Sequence, residues 1–193
     1  MLSFPSLTRK ILLSGLMLAT LAACDRQSGA DKQPPAAIQS AAAETPAGEV
    51  DRSHKGSRLP DLSFQDASGK TIRTTGLTGK PLLINLWATW CGPCVAELPE
   101  LDKLAAQGKV QVLTLSQDSA GAKDKVAPFL KDKGLTHLGA WLDPEAQAAM
   151  QWQASTLPAS IYYDAQGREV WRVNGSKAWT SPEGAALMAE AGG

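Results

Sequence analysis

Two cysteines, Cys91 and Cys94, stand three residues apart in the segment Trp90-Cys91-Gly92-Pro93-Cys94. A dithiol at that spacing can exchange disulfides, provided that one sulfur is an accessible thiolate. A free cysteine is mostly protonated near neutral pH. A helix that begins here corrects this, because its unpaired N–H groups and partial positive charge favour an anion. The spacing then separates two roles. Cys91, at the helix start, attacks a partner's disulfide and forms a mixed disulfide. Cys94, one turn deeper on the same face, attacks Cys91, releases the partner and closes a Cys91–Cys94 disulfide. Gly92 permits close backbone approach, and Pro93 suits a first turn where its missing N–H matters least.

A lone C-x-x-C can also be half of a zinc site, which needs two more ligands. Cys24 lies far upstream and His137 is the only histidine of the region that reads as folded. No metal and no cofactor is expected.

The elements that must position the pair are legible around it. Pro81 to Trp87 is a continuous apolar run, a buried strand leading into the dithiol. Pro93 to Gln107 reads as a helix closed by Gly108. Upstream, residues 62–64 and 71–74 read as a hairpin about a 67–70 turn. Downstream come a strand at 110–115 and a helix over 122–133 ended by Gly134. A shorter helix opens at Asp143-Pro144-Glu145, with Asp as N-cap and Pro at the first helical position. Strands at 159–163 and 168–173 flank an Asp164–Gly167 turn, and Ser181 caps a last helix. The layout is α/β: a central mixed sheet flanked by helices.

The N-terminus carries a targeting signal. Arg9 and Lys10 precede an apolar stretch, Ile11 to Leu21, too short for a comfortable membrane span. It ends in Leu21-Ala22-Ala23-Cys24, which resembles a bacterial lipobox. The resemblance implies a lipoprotein signal peptide over 1–23 and lipid on Cys24, which removes that thiol from exchange. Asp25 resembles the residue that retains some lipoproteins at the inner membrane, with the outer membrane as the alternative. Residues 24–57 are rich in Ala, Gln, Ser, Pro and Gly, the composition of a flexible linker. The folded domain is expected over 58–193.

The charge is balanced, with 19 basic and 19 acidic residues among 193. That gives nucleic-acid binding no electrostatic support. The loose cluster Lys123, Lys125, Lys131 and Lys133 reads as a solvated helix face.

The stretch Asn85-Leu86-Trp87-Ala88-Thr89-Trp90-Cys91-Gly92-Pro93-Cys94-Val95-Ala96-Glu97-Leu98-Pro99, with Leu157-Pro158-Ala159-Ser160 downstream, resembles the thioredoxin superfamily. Within it, the likeness is to the membrane-tethered TlpA/ResA branch of extracytoplasmic thiol–disulfide oxidoreductases. It implies a thioredoxin-like fold with an N-terminal β-hairpin and a central insertion, the latter over Gln117–Trp152. It implies a cis-proline step at Leu157-Pro158 that faces the dithiol and offers backbone hydrogen bonds to substrate. Trp90 would shield the dithiol and contact partners together with Gly92 and Pro93, while Trp87 belongs to the core. Pro99 would kink its helix. Asn85 stands where thioredoxin has a buried aspartate, so acid–base work must move elsewhere, and Glu97 is the candidate.

The same likeness leans toward reduction of protein disulfides, as in cytochrome c maturation or a similar assembly. It implies a membrane electron donor of the DsbD/CcdA type and a place on the periplasmic side of the inner membrane. Two alternatives share the scaffold. One is a disulfide oxidase using the same dithiol. The other is a copper-binding chaperone, for which the C-x-x-C spacing is one residue short and His137 would be the distal ligand. A peroxidase would need a Thr-x-x-Cys environment that the chain lacks.

Overall fold

The computed structural model describes residues 48–191. The expected signal peptide and the lipidation site Cys24 lie outside the described residues, as does the linker up to residue 47.

Eight strands form one sheet in the order β1-β8-β7-β4-β5-β6-β2-β3. The strands are β1 (Glu49–Asp51), β2 (Ser63–Gln65), β3 (Thr71–Arg73), β4 (Leu82–Trp87), β5 (Gln111–Ser116), β6 (Trp141–Leu142), β7 (Ala159–Tyr163) and β8 (Glu169–Asn174). The helices are α1 (Gly92–Gln107), α2 (Lys123–Asp132), α3 (Gln147–Trp152) and α4 (Pro182–Ala189). β4 is central, parallel to β5 and antiparallel to β7. The β2–β3 hairpin lies at one edge and joins the sheet through β6. The fold is thioredoxin-like, with the expected hairpin and insertion.

β4 is buried along its whole length, and its alternation decides what reaches the site. Leu82, Ile84 and Leu86 pack with Phe64, Ala148 and Trp152 on the α3 side of the sheet. Leu83 and Trp87 pack with Leu98, Leu101, Val126, Leu130 and Leu187 on the side of α1, α2 and α4. Asn85 shares the second set's parity and therefore faces α1. On that side Trp171 stacks on Trp179 at 5.7 Å and meets Tyr162 at 4.8 Å.

Two sequence expectations need correction. The folded domain does not begin at 58: β1 pairs with β8 through Glu49↔Asn174, Val50↔Val173 and Asp51↔Arg172. A three-residue polar strand has no periodicity to read, and its partner lies far along the chain. The short helix does not open at Pro144 but at Gln147, after a turn that leaves Ala146 left-handed at φ 53°. Asp143 still caps it, its carboxylate accepting from Gln147 N at 2.9 Å and Ala148 N at 2.8 Å. α1 holds Pro99 inside it and closes at a left-handed Gly108, φ 67°, as the sequence indicates.

Among the described residues no helix is long and apolar enough to cross a membrane.

Candidate active site

The chain leaves β4 at Trp87 and makes a tight turn before α1. Asp118, buried beyond the end of β5, holds that turn. Its carboxylate accepts from Thr89 N at 2.9 Å, Thr89 Oγ1 at 2.6 Å and Ser116 Oγ at 2.7 Å. Cys91 follows as the N-cap of α1, in an extended conformation, and its Sγ accepts from Cys94 N at 3.3 Å. A helix N-terminus so arranged favours a thiolate at Cys91. Cys91 and Cys94 are joined as a disulfide with their Cα atoms 5.3 Å apart. Cys94 is fully buried and Cys91 is 6% exposed.

Cys91 opens onto a groove of about 620 Å³. Trp90, Gly92 and Pro93 form one wall; Ala146, Ala149 and Leu157 belong to the other. No charged side chain lines it. Trp90 is 70% exposed and Met150, on α3 beside Ala149, is 69% exposed; among the described residues these are the exposed large hydrophobic side chains. α3 is fixed at both ends, by the Asp143 cap and by Arg172 Nη1 donating to Trp152 O at 2.7 Å. The Leu157–Pro158 peptide is cis. Leu157 reaches the groove, while Pro158 is buried behind it and its carbonyl accepts from Gly175 N at 2.8 Å.

Glu97 lies one turn past Cys94 on α1 and is buried. Asn85 Nδ2 donates to its Oε1 at 2.6 Å and to Ser160 Oγ at 3.0 Å. The sheet register explains this meeting, since Asn85 and Ser160 are direct cross-strand partners. Lys177 N donates to Glu97 Oε2 at 3.3 Å. The Trp179 indole N–H lies beside the carboxylate and favours its charge without completing a hydrogen bond. Burial outweighs these donors and pushes the Glu97 carboxyl up to about 7. Such a group can hold or release a proton near neutral pH, one helical turn from Cys94.

The structure thus brings Trp90, Cys91, Gly92, Pro93, Cys94 and Leu157 together at the groove, with Glu97 and Pro158 behind it. His137 is elsewhere: its ring Nδ1 lies 3.0 Å from Asp102 Oδ2, and its N–H is bonded to the same carboxylate. Asp102 is eight residues beyond Cys94 on α1, about 12 Å along the axis. His137 therefore does not face the dithiol as a metal ligand. Asp118, Thr89, Ser160 and Lys177 were not foreseen. They act through pairings between distant segments, and only the strand alternation that turns Asn85 and Ser160 the same way left a trace in the sequence.

The redoxin family pattern matches residues 54–187. The chain is 30% identical to the thiol-disulfide oxidoreductase ResA of Bacillus subtilis over 123 residues, 63% of this chain and 68% of that protein. It is 32% identical to the thiol:disulfide interchange protein DsbE of Vibrio cholerae over 130 residues, 64% of this chain and 68% of that protein. Among solved structures, it superposes on a secreted Mycobacterium tuberculosis disulfide oxidoreductase with a TM-score of 0.55 and 25% identity, covering 67% of this chain and 95% of the other.

Proposed function

The chain belongs to the redoxin family, as a thiol–disulfide oxidoreductase of the ResA and DsbE type, and we propose that it is a membrane-anchored extracytoplasmic reductase of protein disulfides. The observation that carries this reading is the asymmetry of the pair: Cys91 caps α1 and opens onto a neutral groove, whereas Cys94 is sealed behind it.

In the proposed cycle the Cys91 thiolate attacks one sulfur of a substrate disulfide. The substrate S–S bond breaks, its other sulfur leaves as a thiolate and takes a proton, and Cys91 is joined to the substrate. Cys94 gives its proton to the Glu97 carboxylate and attacks Cys91 Sγ. The second substrate sulfur leaves and is protonated. Two electrons have moved to the substrate and the Cys91–Cys94 disulfide remains, the state seen here. A membrane donor of the DsbD/CcdA type would return the two electrons. Trp90, Gly92, Pro93 and Leu157 would contact the substrate, with Pro158 holding Leu157 in place from behind, in cytochrome c maturation or a similar assembly. Lipid on Cys24 would hold the domain at the periplasmic side of the inner membrane.

Substitution of Cys94→Ser tests the assignment, because it leaves an attacker without a resolver. Mixed disulfides through Cys91 should accumulate in cells and identify both substrate and donor. Adducts in Cys91→Ser but none in Cys94→Ser would reverse the roles. A redox titration decides direction: a strongly oxidising potential, with an oxidised pair in cells, would favour the oxidase.

A further inference from the structure

Five arginines lie among the described residues. Arg52, Arg73 and Arg172 each pair with a carboxylate, those of Glu190, Asp61 and Glu169. Arg58 and Arg168 have no ion pair among the described residues, and they face each other across an antiparallel bridge. Leu59 N donates to Gly167 O and Glu169 N to Ser57 O, both at 2.8 Å. These bonds flank the Arg58–Arg168 pair, which makes it the non-hydrogen-bonded kind, with both side chains on one face at the closest cross-strand approach. Like charges set directly opposite each other are destabilising. An anion held between them reverses that sign.

The two arginines line a cavity of about 360 Å³ together with Thr75, Thr78 and Gln166. Its walls come from three segments tied by backbone bonds. Besides the contacts between 57–59 and 167–169, Gly79 N donates to Ala165 O at 2.8 Å. A Cβ on Gly167, at φ 70°, would meet Thr78 Cγ2 at 3.4 Å and Leu59 Cβ at 3.5 Å, so the turn lies flush against both. Among the described residues no acidic side chain lines the cavity. The carboxylates close to it are engaged elsewhere. Asp164 accepts from Gln166 N at 2.9 Å and Arg168 N at 2.8 Å, and Asp61, which accepts from Thr75 Oγ1 at 3.1 Å, is paired with Arg73.

This cavity is remote from the dithiol. The 164–167 turn follows Tyr163, the partner of Leu82 at the start of β4, whereas the dithiol follows Trp87 at its end. The length of β4 separates them, roughly 17 Å.

We propose that Arg58 and Arg168 form a binding site for a phosphate monoester, separate from the dithiol. Each guanidinium presents a planar fork of donors that fits two phosphate oxygens. A phosphate monoester brings roughly two negative charges and three acceptor oxygens, which engage both forks at once. A single carboxylate is filled by one fork. The Gln166 amide and the Thr78 hydroxyl add neutral donors, the latter held only by a 3.4 Å contact to Thr75 O.

The test titrates the oxidised full chain with glycerol 3-phosphate at pH 7.5 and follows backbone amide shifts by NMR. Saturable shifts confined to residues 58–59, 75–79 and 165–168 are expected. Arg58→Gln and Arg168→Gln should each weaken binding at least tenfold, with thiol exchange unchanged. Arg168→Lys, which keeps the charge and loses the fork, should not restore it. Succinate, a dianion without phosphate geometry, should bind at least tenfold more weakly. Phosphatidylcholine vesicles carrying phosphatidic acid, with the Cys24→Ser chain, then identify the source. Co-sedimentation that Arg168→Gln abolishes assigns the phosphate to a lipid headgroup; none assigns it to a soluble ester. Absence of saturation, equal binding of succinate, full affinity in Arg168→Lys, or shifts that survive both Gln substitutions would each overturn the inference.

Discussion

Asn85 Nδ2, on the central strand, donates to Glu97 Oε1, on the active-site helix, at 2.6 Å, with both residues buried. A neutral amide there can stabilise the carboxylate without competing for its proton. The Glu97 proton balance near pH 7 is therefore set chiefly by burial against the donors Asn85, Lys177 N–H and Trp179, with the charge of Glu100 adding to the upward push.

Glu97 should make stability fall as pH rises. Its carboxyl titrates near 4.5 when unfolded and about 7 when folded. Between these values the folded chain keeps a proton that the unfolded chain has released, so the native state loses ground on the order of 3 kcal/mol across that window. Glu97→Gln should abolish the slope. Urea denaturation of the oxidised protein at pH 5 and pH 8 measures it, and equal slopes in both proteins would refute the burial argument. In stopped-flow exchange the same variant should slow resolution by Cys94 and lose the inflection near pH 7.

Asn85→Asp should drive the inflection upward. Two carboxylates at hydrogen-bond distance share one proton, because ionising both in a buried site is costly. Thiol-reactivity profiles should shift to higher pH, and the variant should be destabilised by several kcal/mol at pH 8 with most of it recovered at pH 5. An unshifted profile would mean that the 85 and 97 side chains separate.

Asp118→Ala should damage the dithiol turn without touching a sulfur. It removes the acceptor for Thr89 N, Thr89 Oγ1 and Ser116 Oγ at once. The expected cost is about 2–4 kcal/mol, with slower attack by Cys91. Asp118→Asn, which keeps an acceptor oxygen, should recover most of both. Denaturation midpoints and single-turnover rates report the two effects separately.

Arg172→Met should loosen the far wall of the groove. Arg172 forks onto Glu169 through Nε and Nη2, both at 2.7 Å, and also holds the end of α3. Removing the cation leaves Glu169 buried and unpaired, at a cost of about 3–5 kcal/mol. Adding Glu169→Gln should return much of that stability, while hydrogen exchange in α3 stays fast because Trp152 O still lacks its donor. Slow exchange in both variants would show that Asp143 alone secures the helix.

The dithiol, its helix and the central strand were legible because they are local: an apolar run, a C-x-x-C, a Pro at the helix start and a Gly at its end fall within 28 residues, 81–108. β1 was not, because Glu49-Val50-Asp51 gains strand character only from β8. The start of α3 was misplaced for a related reason. Asp-Pro is a strong helix-opening pair, but Asp143 also receives a bond from Gln117 Nε2 at 2.9 Å, and the chain turns once more before the helix forms. The Glu97 environment was half legible. Its place one turn from Cys94 follows from spacing, whereas Ser160, Lys177 and Trp179 reach it across 63 residues or more.

The stack of Trp171 on Trp179 makes this chemistry visible to light. Trp179 borders Glu97 on one side and Trp171 on the other, so a change of charge on that carboxylate alters the electric field across a rigid, oriented indole pair. Near-ultraviolet circular dichroism of the native protein should therefore titrate with Glu97. Proton transfer at the resolving step can then be followed in unlabelled protein, with no reporter attached to either sulfur.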